Sequence, residues 1–143
     1  MVVALHYDEG IGAQNLRCHV PRLARAADAD ALALADGVLD AGLLVRYESM
    51  RDKQEQSKAW SDKQLARIKR GMALMSSDLG ERQWCATERY SLADIALGCC
   101  LGWLNFRRPG GIDWLKEYAT LGKHYDKLMA RPAFADTVPA VPK

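Results

Sequence analysis

The stretch from Tyr90 to Arg108, Y-S-L-A-D-I-A-L-G-C-C-L-G-W-L-N-F-R-R, constrains the fold of this chain more than any other. Between Leu92 and Phe106 only Asp94 and Asn105 are polar. A helix that is apolar nearly all round must be covered on every side, so the stretch predicts the central helix of a domain, at about 91–108. A membrane span is excluded by length, because the unbroken apolar run is about half the ~20 residues that a span needs. The start of the helix is strongly specified. Ser91 is placed to cap the N–H of Asp94, and the Asp94 carboxylate to reach back to the N–H of Ser91, forming a structural capping box. Loss of either member is expected to cost about 1 kcal/mol. Tyr90 just outside the helix and Ile95 inside it are placed for a hydrophobic staple. At the far end Arg107 and Arg108 complement the helix dipole, and Pro109-Gly110-Gly111 stops the helix. Gly98 and Gly102 each cost roughly 1 kcal/mol against alanine in a helix, so they predict a closely approaching neighbour.

The rest of the chain also reads as helical after a short beginning. Met1 to Tyr7 fits a short strand, and residues 1–20 read as an irregular lead-in to a helical domain at 21–143. From Ala24 to about Asp52 the line Leu32, Ala35, Leu39, Leu43 and Tyr47, flanked by Leu34, Val38, Ala41 and Val45, makes a wide apolar stripe. After the polar turn at 52–58, a second long helix begins near Ser57 or Ala59. It carries Leu65, Ile68, Met72, Met75 and Leu79 inward and ends at Gly80. Ile112 to Tyr118 fits a short helix with Trp114 and Leu115 facing in, and Leu121 to Met129 another, ended before Pro132. No run after residue 20 alternates as a half-buried strand would. The expected fold class is all-α: about five helices around the buried one.

Composition narrows the functional classes. The chain has 143 residues, enough for one domain with its own core. Its formal charge of +2 is near balance and its basic residues are scattered, which argues against nucleic acid as a partner. Cys18, Cys85, Cys99 and Cys100 lack metal or redox spacing, and the adjacent Cys99 and Cys100 on the apolar helix read as small core residues in a reducing compartment. Met1 to Leu5 is too short for a cleavable signal and has no basic start, so the expected location is cytoplasmic, with no membrane partner. His6, His19 and His124 have no metal-ligand spacing, Asp36 and Asp40 read as a solvated pair, and no catalytic constellation or metal site is visible. Tyr47, Trp103 and Phe106 are the candidates to line an apolar substrate pocket between helices. Arg46 and Arg107, each set among apolar residues, are the candidate anion contacts.

The same residues carry a resemblance. The segment 90–104 resembles the capping-box helix of the glutathione transferase C-terminal domain. The upstream A-L-A-D-G-V-L-D-A at 33–41 and the downstream R-P-A-F-A-D-T-V-P at 131–139 resemble that family in the same order and spacing. The similarity covers roughly 24–139, and S-x-A-D-I with R-P-x-F is fairly specific in combination. It implies a helical bundle that normally follows a thioredoxin-like domain, which binds glutathione as the family's cofactor and activates its thiol. The helical half then contributes to the pocket for the electrophilic substrate and to a homodimer contact. The first twenty residues do not supply the glutathione-binding frame, and Tyr7 is not read as a catalytic tyrosine. The expectation is therefore a binding and dimerisation module for a small hydrophobic ligand or a protein, with no cofactor of its own and no transferase chemistry alone. Two alternatives stand beside it: half of a glutathione transferase that becomes active with a thioredoxin-like partner domain, and a purely structural interaction module.

Overall fold

The structure, a computed structural model, describes residues 22–139. The strand expected at 1–7, the lead-in at 1–20 and the last tail residues lie outside the described residues. Within them the chain is all-helical, with six α-helices and one 3-10 turn: α1 Arg22–Ser49, α2 Lys58–Leu79, α3 Leu92–Arg107, the turn Pro109–Gly111, α4 Trp114–Glu117, α5 Ala119–Met129 and α6 Pro132–Ala135. The sixth is the single turn opened by Pro132, where the sequence reading placed only a helix end.

The two long helices are joined by a tied connection. Glu48, buried at the end of α1, accepts the N–H of Ser57 at 2.6 Å and pairs with Arg51 at 3.6 Å. Ser57 in turn accepts the N–H of Trp60 at 3.2 Å as the N-cap of α2. This places the start of α2 within the expected range and ends α1 three residues earlier than expected. Gly80 closes α2 with φ 51°, a left-handed angle that favours glycine. A side chain at Gly71 would run into Val38, so the missing Cβ lets α1 and α2 close on each other.

The face that α1 buries differs from the expected line. Ala35, Val38, Ala41 and Val45 are in the core, while Tyr47 is 60% exposed. The wide stripe offered two possible centres, and the small residues won because α2 and α3 both pack there. Gly42 illustrates the constraint: a Cβ built on it would lie 2.6 Å from the Trp103 ring on α3.

Helix α3 buries Ala93, Leu97, Cys100, Leu101 and Leu104, but it is not covered on every side. Leu92 and Ile95 are exposed at 54% and 38%, and Cys99 is exposed beside them. The expectation of complete burial is corrected: in this chain α3 keeps one uncovered apolar edge. Gly98 and Gly102 admit side chains from later helices. A Cβ at Gly98 would lie 2.6 Å from Phe134 and 2.8 Å from Leu128, and one at Gly102 would lie 3.6 Å from Tyr125. Trp114 is fully buried as expected, whereas Leu115 is 40% exposed and does not face inward.

Candidate functional site

Two constellations emerge, one polar and one apolar, and both are built on α3. The polar one starts with the capping box. Both halves are present at Ser91 and Asp94, the carboxylate accepting the Ser91 N–H at 2.9 Å. Its other oxygen accepts the backbone N–H of Cys85, also at 2.9 Å, and faces His124 Nε2 at 3.1 Å. Asp94 therefore ties three segments together: the loop before α3, the helix itself and α5. Tyr90 packs edge-on against Trp84 with ring centroids 5.4 Å apart, under the Arg131 guanidinium. With Ile95 exposed, the expected staple is not what holds the entry.

The electrostatics follow from this geometry. Burial by itself raises a carboxyl pKa, but the hydrogen bonds from His124, Cys85 and Ser91 outweigh it and hold Asp94 at about 2. Burial and then the Asp94 charge push the Cys85 thiol well above its ordinary range, against smaller opposing effects from Arg82 and Lys127. Cys85 Sγ lies 3.6 Å from His124 Nε2. Sulfur and carboxylate meet the same imidazole nitrogen, so this is no nucleophilic relay. A relay places the orienting acid on one ring nitrogen and the nucleophile on the other.

The cluster sits under the turn after α2. On one side Cys85 opens on a groove of about 280 Å³ between the long helices and α3, lined also by Leu34, Leu74 and Leu97. On the other, His124 borders a depression of about 410 Å³ with Lys123 and Lys127. Leu79 and Arg82 line both. Nothing in the sequence marked this cluster, because its members lie on three separate segments and only Asp94 belongs to a local motif.

The apolar constellation is a pocket of about 220 Å³ between α3, α5 and the chain after α6. Trp103 and Phe106 line it, together with Cys99, Tyr125, Met129 and Phe134. Two of the four expected substrate-binding residues thus come together. Arg107 stacks on the Phe106 ring at 4.3 Å without lining the pocket, and Tyr47 lies on exposed surface away from it. Sequence reasoning missed the far wall. Tyr125, Met129 and Phe134 were read only as part of a helix and its end, whereas Gly98 and Gly102 opened the space they face.

The comparison with known proteins decides what this bundle is. The family described as glutathione S-transferase, C-terminal domain matches residues 58–127. The helical domain belongs to the glutathione S-transferase C-terminal family. A crystal structure of a glutathione S-transferase from Methylobacillus flagellatus KT, with GSH bound, superimposes with a TM-score of 0.78 at 40% identity. That match covers 87% of this chain and 64% of the other. A glutathione S-transferase from Methylobacterium radiotolerans, in complex with glutathione sulfonate, gives a TM-score of 0.77 at 36% identity, covering 82% of this chain and 55% of that one. The uncharacterized GST-like protein YibF of Escherichia coli (strain K12) is 37% identical over 109 residues, 75% of this chain and 52% of YibF. The chain thus spans about half the length of this curated relative. Among the described residues of the glutathione S-transferase C-terminal domain, no helix is long and apolar enough to cross a membrane.

Proposed function

We propose that this domain is the ligand-binding half of a glutathione S-transferase system, and that it holds a small apolar or amphipathic molecule between α3, α5 and the segment after α6. The observation that carries this reading is the pocket itself. Trp103, Phe106, Tyr125, Met129 and Phe134 converge on about 220 Å³, with Asn105 and Thr137 as the few polar groups. A mostly apolar hollow with a small number of polar groups is the usual chemistry of a small-molecule site. The solved relatives support the setting, since their structures hold glutathione or glutathione sulfonate.

Glutathione chemistry itself needs more than this bundle offers. A thiol with an ordinary pKa near ~8.5 must be activated by a nearby donor or positive dipole. Among the described residues no strand edge is present to pair with a peptide backbone. The reading therefore assigns the 143-residue chain binding without conjugation, and assigns transferase activity to its combination with a thioredoxin-like domain. The uncovered edge of α3 at Leu92, Ile95 and Cys99 supports such a partner.

Self-association through the long helices belongs to the same proposal. Leu44, Tyr47, Met50, Trp60 and Leu74 on and between α1 and α2 are all exposed apolar side chains. Light scattering over a dilution series tests the dimer, and a monomer at high micromolar concentration contradicts it. For the pocket, the test is titration with a small aromatic ligand against Gly102→Leu, which fills the space beside Tyr125. Saturable binding that the variant abolishes is expected. Equal binding by both proteins places the ligand elsewhere.

A further inference from the structure

Three donor atoms of different chemistry converge at the start of α3. Cys85 Sγ, an Asp94 carboxylate oxygen and a His124 ring nitrogen all lie within 4.8 Å of one another. We propose that they form a binding site for a single divalent cation of the zinc type, with its fourth position open to solvent from the groove beside Cys85.

The distances fit. Zinc bonds of about 2.3 Å to sulfur and about 2.0 Å to imidazole, meeting at a tetrahedral angle, put sulfur and nitrogen about 3.5 Å apart. The Cys85 Sγ to His124 Nε2 distance is 3.6 Å. The carboxylate has room for the ion in one place only. One oxygen accepts the N–H and hydroxyl of Ser91, and the other accepts the Cys85 N–H and faces His124. Each carboxylate oxygen has two lone pairs. The cation therefore enters where Asp94 now meets His124 Nε2, and His124 then carries its ring proton on Nδ1. The backbone bonds that orient Asp94 remain as outer support for the ligand.

The donor set selects the metal. A thiolate with an imidazole and one carboxylate suits zinc, whereas magnesium and calcium require oxygen. Charge balances as well, since thiolate and carboxylate together neutralise the ion. Arg82 and Lys127 face the thiol and oppose the cation. Lys127 is partly engaged on the Trp84 ring at 3.6 Å. Arg82 is held by the backbone oxygen of Asp78. Binding converts Cys85–SH and M²⁺ into Cys85–S–M⁺ and releases one proton, with a second from His124 wherever that ring is charged.

Cobalt(II) titration of the full chain tests the site, because cobalt occupies zinc sites and a bound thiolate gives a near-ultraviolet charge-transfer band. One equivalent is expected to produce the band with proton release, in the wild type and equally in Cys18→Ser/Cys99→Ser. Cys85→Ser is expected to lose it, and His124→Gln to weaken binding by at least about tenfold. In the wild type alone, where no folding question arises, zinc is expected to shift the ring nitrogens of His124 in NMR spectra. No thiolate band, a band that survives Cys85→Ser, a band lost in Cys18→Ser/Cys99→Ser, or an unmoved His124 ring overturns the proposal.

Discussion

The carboxylate of Asp94, nine residues beyond Cys85, accepts the Cys85 backbone N–H at 2.9 Å while capping its own helix. The two residues read in sequence as a helix cap and an unremarkable thiol. In the fold, one buried anion fixes the path of the loop from Trp84 to Tyr90, the entry of α3 and the position of His124 on α5.

That relationship separates two substitutions expected from sequence to be equal. Ser91→Ala removes one cap and is predicted to cost about 1 kcal/mol. Asp94→Ala leaves the N–H groups of Ser91 and Cys85 and the His124 ring short of an acceptor, each worth about 1 kcal/mol or more when buried, for a total of about 3–5 kcal/mol. The double variant should fall short of the sum, because both serve one motif. Urea melts of the three proteins decide it, and equal losses in the two singles contradict the tripled role of Asp94.

Acid stability should carry the same signature. Asp94 titrates at about 2 in the fold against an ordinary 3.8. A depressed pKa gives stability that is whole above the unfolded value and disappears as pH falls from about 4 to about 2. The shift corresponds to about 2 kcal/mol. Comparing melts at pH 6, 4 and 2 for wild type and Asp94→Asn measures it. The difference between the two should shrink across that window, and a pH-independent difference would argue against a charged, hydrogen-bonded Asp94.

The glycines of the long helices divide by what surrounds them. Nothing lies within 4 Å of a Cβ placed on Gly37, so Gly37→Ala is predicted to stabilise α1 by about 0.5–1 kcal/mol. Gly71→Ala drives a methyl into Val38 and is predicted to destabilise by about 1–3 kcal/mol despite the same gain in propensity. Thermal melts give the signs directly. Two changes of like sign would mean that α1 and α2 do not pack at Gly71 as described.

Much of this architecture was legible in the chain, and the reasons differ by element. The capping box, Gly80 and the polar turn at 52–58 are local signals, so the boundaries of α2 and α3 come within a residue or two of the expected ones. The buried face of α1 was not legible. Alanines and leucines fill both candidate lines there, and only the partners choose between them. Trp103 and Phe106 were identified because they stand out as aromatics on an apolar helix. Tyr125, Met129 and Phe134 required knowing where α5 and α6 fold back. Cys85 and His124 were out of reach for a simpler reason: a cluster assembled across 39 positions leaves no spacing to read.

Cysteine labelling joins the fold to the pocket. Cys99 is exposed, while Cys100 is fully buried and its thiol is pushed up by that burial. In a Cys18→Ser background, a maleimide should modify Cys99 first, faster as pH rises, because burial also raises the Cys99 pKa. Cys99 lines the apolar pocket, so an occupying ligand should slow this labelling. Labelling rates that ignore ligand would place binding away from α3.

The central claim is that the chain binds apolar molecules at α3 and α5 without performing glutathione conjugation by itself. Calorimetric titration of the 143-residue chain with a small aromatic electrophile and, separately, with glutathione tests this most directly, run beside a conjugation assay. The predicted result is saturable binding of the aromatic compound, millimolar or weaker binding of glutathione, and no turnover until a thioredoxin-like domain is supplied. Micromolar glutathione binding with turnover by the chain alone would contradict the account.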